Sequence, residues 1–195
     1  SEVMYRALEM VAFSTSVFTF WQSYKTYNLS KLSYYFLFLN AVMVFVLPHN
    51  LFYYYYTSVY FESLFLFFLS MYYVMFFGSA NFSNVQGLAL KSPKLALMLR
   101  LTLMGLGLYP PFGNIFLLFA GLLKGGFDVY GFIIFIWIFF ANFFMAFRIM
   151  KNTVFGAPNE NIIYRDINSK HFLITSAIII TLIVLGLGSF LEAML

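Results

Sequence analysis

The chain has 195 residues, 63% of them hydrophobic and only 9% charged, with eleven Lys or Arg, seven Asp or Glu and a formal net charge of +4; its mean hydropathy is +0.87. Soluble domains carry about 25% charged residues, so the composition points to a bundle of roughly six or seven membrane helices, and the lack of any basic run argues against nucleic acid as a partner. Cysteine is absent, which excludes disulfides, thiolate zinc sites, iron–sulfur clusters and c-type haem attachment within the chain.

The N-terminus shows no basic region, apolar stretch and small-residue cleavage site, so no removable leader is expected. The first segment, about 4–21, is partly apolar and places Arg6 and Glu9 three apart on one helical face. A polar link, 22–31, leads to a second segment at about 32–47, closed by Pro48-His49-Asn50. The third, 51–77, carries a single charged side chain, Glu62, near its middle. It is too long and apolar for an ordinary core helix and long enough to cross a bilayer. A loop rich in Gly, Ser and Asn, 78–87, ends it.

The fourth segment begins at Pro93, a favoured first-turn residue, with Ser92 as its N-cap, and runs to about Tyr109. Pro110-Pro111 stops it, because each proline lacks an N–H and clashes with the preceding turn. The short piece 112–123 follows, closed by Lys124-Gly125-Gly126. At about 1.5 Å per residue it covers only about 18 Å, against a hydrocarbon core of about 30 Å, and so reads as half of a broken helix. Such breaks occur where the freed backbone lines protein or a wet cavity. A sixth segment spans about 127–150, ending in Arg148 and Lys151. The loop 151–170 precedes a last segment at about 171–191, which Asp166 and Asn168 are placed to cap. The expected fold is an all-α integral membrane protein: one transmembrane domain over 1–195, of about seven segments, one broken at Pro110-Pro111. Counted as seven crossings, the lysines and arginines divide almost evenly between the two sides and leave the orientation open.

The charges inside these segments are the candidate proton-path residues. Glu62 reads either as a carboxylate that loads and releases a proton or as half of a structural ion pair. Arg100, about 10 Å into the fourth segment, keeps its proton; it either pairs with Glu62 or snorkels to an interface. Lys31 opens the second segment, as a buried proton carrier or an interfacial anchor. Lys124 lies four residues before Asp128, where Gly125-Gly126 favours a surface turn. His49 follows Pro48 as a proton shuttle or an interfacial turn residue. Catalytic constellations, metal-ligand spacing and phosphate loops are not found. Gly105-Leu106-Gly107 and Gly186-Leu187-Gly188 read as small-residue helix contacts.

Residues 86–124 resemble one family closely. Gly87-Leu88, Pro93, Leu95-Ala96-Leu97, Gly105 and Pro110-Pro111 fall at the spacing found in NADH-ubiquinone oxidoreductase chain 2, the membrane subunit called N in bacteria. The stretch from Asn28 to Tyr35, the basic Phe147-Arg148-Ile149-Met150-Lys151 and Ala157-Pro158 are similar to that family as well. Asp166-Ile167-Asn168-Ser169-Lys170 looks more like the sister family, chain 4. The resemblance covers most of 1–195 and is to the C-terminal half of the family's subunit. It implies an antiporter-like half-bundle and proton translocation in respiratory complex I coupled to quinone reduction. It also implies a mitochondrial inner membrane, or else a bacterial one. The partners implied are other membrane-arm subunits within the lipid bilayer; the family's N-terminal half is either supplied by a separate polypeptide or lost. No redox cofactor is implied in this chain; NADH, FMN, iron–sulfur clusters and ubiquinone belong to partner subunits. The family's buried lysine of the second segment carries over to Lys31, or one residue off it to Ser30. Its lysine on the short helix after the prolines has no counterpart in Phe112-Gly113-Asn114-Ile115-Phe116, and Lys124 stands at the far end. The alternatives are a structural membrane-arm subunit that has lost pumping, and a free-standing cation/proton antiporter.

Overall fold

The computed structural model describes residues 2–83, 85–125 and 127–194, so Gly126 of the expected closing turn and Asn84 of the 78–87 loop lie outside the described residues. Among those residues the regular structure is helix alone, with no strand and one isolated bridge between Asn28 and Asn81. Helix α1 (Glu2–Lys25) precedes α2 (Leu29–Asn40), whose N-cap Asn28 accepts a hydrogen bond from the Lys31 N–H at 3.2 Å. A 3-10 turn, Ala41–Phe45, leads through Pro48 into α3 (His49–Phe77). Gly78 stops α3 in the left-handed conformation, φ 75°, and its N–H bonds Val74 O at 2.9 Å; a Cβ-free residue suits that backbone. A single turn, α4 (Leu88–Lys91), comes before α5 (Pro93–Leu106). After the prolines follow α6 (Gly113–Gly125), α7 (Val129–Thr153) and α8 (Ser169–Met194). Asp128 caps α7 by accepting from the Gly131 N–H at 2.8 Å.

The helix termini gather at two ends. At the long-loop end, Arg148 of α7 donates to Ser23 O at 2.7 Å and Thr26 O at 3.0 Å, at the C-terminus of α1. Gly87 N–H and Ala89 N–H bond Phe155 O and Val154 O, each at 3.2 Å, joining the 78–87 loop to the 154–168 loop. Tyr72 near the end of α3 meets His171 at the start of α8, 2.9 Å apart. At the opposite, short-turn end, Tyr5 donates to Phe45 O at 3.1 Å, and Arg6 pairs with Asp128 at 2.7 Å.

Two capping expectations change. Ser92 occupies the N-cap position of α5 without a side-chain cap bond, and its hydroxyl donates to Arg165 O at 2.9 Å. Asp166 does not cap the helix that follows it. It accepts from Lys94 N–H at 3.2 Å and Leu95 N–H at 2.9 Å, so it caps α5 from more than seventy residues away.

The break also changes the count of segments. α5 starts at the long-loop end and brings Gly105 to Glu62, thirteen residues along α3 from His49. α6 starts at the same depth, where Asn114 meets Glu62, and ends at the short-turn end, where Gly121 packs on Leu47. α5 and α6 therefore lie end to end as two halves of one rod, so the expected fourth and fifth segments are not two separate traverses of the bundle. Among the described residues, three helices are long and apolar enough to cross a membrane, His49–Phe77, Val129–Thr153 and Ser169–Gly188; Leu29–Phe45 and Gly113–Lys124 are shorter apolar helices.

α3 is the central rod, packed against α2, α5, α6 and α8. Phe36, Leu39, Met43, Leu66, Leu99, Leu103 and Ile138 are each no more than 1% exposed and belong to one contiguous core. The outside is apolar too: Phe18, Trp21, Phe68, Met75, Leu173 and Ile180 are exposed, as suits a bundle whose surroundings are hydrocarbon. Gly113 and Gly186 let the backbones of α6 and α8 touch; a Cβ on either would fall on the other's backbone.

Candidate functional site

The site grows from Glu62 and the gap in the α5–α6 rod. α3 is apolar all round, so no polar face exists to carry a carboxylate to water. Glu62 is 2% exposed. Asn114, wholly buried in the first turn of α6, donates its Nδ2 to Glu62 Oε2 at 2.6 Å and, more distantly, to Gly105 O at 3.4 Å. Gly105 makes this approach possible, because an added Cβ would lie 2.5–2.8 Å from the carboxylate atoms. Among the described residues, the Asn114 Oδ1 and the neighbouring Ser63 hydroxyl, both buried, lack a hydrogen-bond partner. A buried acceptor without a partner, such as the Asn114 Oδ1 beside this carboxylate, is costly and uncommon. The Pro110–Pro111 bond is cis and both prolines are exposed, while Leu106, Leu108, Phe112 and Ile115 fill the inner side of the break, each 3% exposed or less.

A second polar cluster lies two turns toward the short-turn end and is closed. Asn40 of α2 and Asn142 of α7 exchange Nδ2-to-Oδ1 bonds, both 2.9 Å. Their remaining N–H groups donate to Phe36 O at 2.7 Å and Ile138 O at 2.9 Å. Tyr55 of α3 donates to Asn40 Oδ1. Every amide N–H is used, so this trio fastens three helices.

Only Glu62, of the sequence-derived candidates, sits inside. Arg100 is exposed on α5 and makes no ion pair with Glu62; Asn114 takes the place expected for a cation. Lys31 is exposed as well. One residue earlier, Ser30 faces inward and its hydroxyl meets that of Ser70 at 2.6 Å. A helical step of about 100° separates the two positions, which turns the lysine out. Lys124 and His49 are exposed at the short-turn end. Asp128 pairs with Arg6, not with Lys124, and Arg6 also holds Glu9 at 3.0 Å. The Gly131 N–H and then the Arg6 guanidinium hold the Asp128 carboxyl below the usual carboxylate range.

Asn40, Asn114 and Asn142 were not singled out from the sequence. The signal was present: each is a lone amide inside an apolar run, and a polar group at membrane depth needs a partner. No group of three or more His, Cys, Asp or Glu able to hold a metal occurs among the described residues. No protein-family model matches the chain, and no curated protein matches it.

Proposed function

We propose that the chain is an antiporter-like membrane subunit of a proton-translocating NADH:ubiquinone oxidoreductase, respiratory complex I, with Glu62 as its proton-accepting group. The supporting sequence pattern is the Gly, Pro-Lys-Leu-Ala-Leu and Pro-Pro spacing of residues 86–124. The observation that carries the proposal is the placement of one buried carboxylate against the gap between α5 and α6, with Asn114 beside it. Ionised, Glu62 accepts from the Asn114 amide. Protonated, it donates to Asn114 Oδ1 once that amide turns over, and the otherwise unused acceptor is filled. One side chain thus serves both states.

In this reading the bundle crosses the mitochondrial inner membrane six times, with α5 and α6 together making one crossing; a bacterial inner membrane is the alternative. Other membrane-arm subunits surround it, one of them supplying the family's N-terminal half, and NADH, FMN, the iron–sulfur clusters and ubiquinone reside in those partners. Glu62→Gln in the intact complex tests the role of the carboxylate. The expected result is fewer protons moved per electron pair with assembly retained, and an unchanged ratio overturns the proton role.

A second reading is a membrane-arm scaffold without pumping. It is favoured by the outward placement of Lys31, Arg100 and Lys124 and by the apolar packing inside the break. For a scaffold, separating α6 from α8 with Gly186→Val impairs assembly of the complex, while Glu62→Gln leaves pumping intact.

A further inference from the structure

The two ends of the bundle differ sharply in charge. At the long-loop end, four segments each bring two basic side chains. Lys25 and Lys31 flank the α1–α2 turn, and Lys91 and Lys94 lie at the start of α5. Arg148 and Lys151 occupy the last turns of α7; Arg165 lies in the 154–168 loop and Lys170 in the first turn of α8. These are eight of the eleven basic residues; of the others, Arg6 and Lys124 are at the short-turn end and Arg100 is seven residues into α5. The short-turn arginine is already taken up by Glu9 and Asp128. At the long-loop end the acids are Glu160 and Asp166, and Asp166 is engaged by the backbone of α5. Arg148 is enclosed there and Lys94 donates to Ser169 at 2.9 Å, which leaves six exposed cations: Lys25, Lys31, Lys91, Lys151, Arg165 and Lys170.

We infer that the long-loop end faces the side on which the chain is made, and that its exposed lysines and arginines bind anionic phospholipid headgroups of that leaflet. Lysine and arginine in short loops stay on the side of synthesis, and an anionic leaflet attracts basic groups at its surface. The asymmetry exists only because α5 and α6 form one traverse. Were they two, the 78–87 and 154–168 loops would lie on opposite sides and the basic residues would divide between them. The inference rests on the membrane reading and is independent of any proton role for Glu62.

The sequence has no cysteine, so one introduced cysteine is the sole thiol. Ser79→Cys, Glu160→Cys and Asn50→Cys, made in the full chain in sealed vesicles of known sidedness, are treated with a membrane-impermeant maleimide. The expected result is that Ser79→Cys and Glu160→Cys react from the face on which the chain is made and Asn50→Cys from the opposite face. Reaction of Ser79→Cys and Glu160→Cys from different faces, or of both from the face opposite synthesis, overturns the orientation. Equal reaction of all three from either face of sealed vesicles overturns the membrane reading itself. For the lipid contact, the full chain extracted in mild detergent is weighed by native mass spectrometry after exposure to phosphatidylglycerol or phosphatidylcholine. Retention of phosphatidylglycerol should fall several-fold in the combined Lys91→Gln, Lys151→Gln, Lys170→Gln variant, with phosphatidylcholine unchanged; equal retention by variant and parent refutes headgroup binding.

Discussion

Replacing Gly105 by alanine isolates the contact between the end of α5 and the carboxylate of Glu62. The new methyl would sit 2.5 Å from Oε1, 2.6 Å from Cδ and 2.8 Å from Oε2, so something must move. Two effects oppose each other. Alanine is better than glycine inside a helix by about 1 kcal/mol. Overfilling a packed site costs about 1–3 kcal/mol, and pushing the carboxylate off Asn114 forfeits a charged hydrogen bond of about 1.5–3 kcal/mol. The net expectation is a loss of about 1.5–5 kcal/mol, since the packing and hydrogen-bond costs outweigh the helix gain. In a Glu62→Ala background both costs vanish and the sign reverses, leaving the helix gain of about 1 kcal/mol. The measurement is a double-mutant cycle: parent, both single variants and the double variant, unfolded reversibly in mixed detergent micelles and followed by far-UV circular dichroism. A coupling energy of several kcal/mol is expected. If Gly105→Ala shifts stability equally in both backgrounds, within about 0.5 kcal/mol, the glycine does not exist to admit the carboxylate and the site is wrongly built.

Gly186→Ala places a methyl 2.5 Å from Gly113 Cα, against backbone that cannot turn aside; α8 should loosen from α6, seen as faster proteolysis within residues 169–188 and a lower Tm. Arg148→Lys removes the two-pronged hold on Ser23 O and Thr26 O and the stacking over Tyr24 and Tyr27, with ring centroids 5.1 and 4.9 Å away. A lysine cannot reproduce that fork, so hydrogen exchange at the end of α1 should rise at least tenfold while α3 is unaffected. Asp128 supplies the pH test. Its folded pKa lies below the ordinary 3.8, so its stabilisation is present above about pH 4 and is lost as pH falls through the lower folded value. The acid-side fall in Tm should be shallower in Asp128→Asn than in the parent; identical profiles would remove Asp128 from the linkage between α1 and α7.

The helices were legible because their punctuation is local. Pro48 before α3, Gly78 after it, Pro93 opening α5 and the double proline closing it each act within a turn of their own position. Glu62 was legible as buried, since it is the one charged residue in a twenty-seven-residue, mostly apolar segment that leaves a carboxylate nowhere to reach water. What it faces was not. Arg100 had the complementary charge, yet the partner is Asn114, fifty-two residues on, chosen by where the prolines re-aim the chain. Ser30 and Lys31 could not be told apart either: α3 is apolar on every side, so pattern alone does not say which residue of α2 turns toward it. The end-to-end run of α5 into α6 is likewise a matter of contacts with α3, because segment length gives a distance and not a direction.

The capping of α5 has a consequence for how the protein is made. The first turn of α5 lacks an acid of its own, and the carboxylate that satisfies it, Asp166, leaves the ribosome more than seventy residues later. Until Asp166 has been made, the amides at Lys94 and Leu95 lack the carboxylate that accepts from them in the finished fold. The capped form of α5 therefore exists only after α7 and the 154–168 loop have been synthesised, and the half-rod that brings Gly105 to Glu62 takes its final hydrogen bonds late.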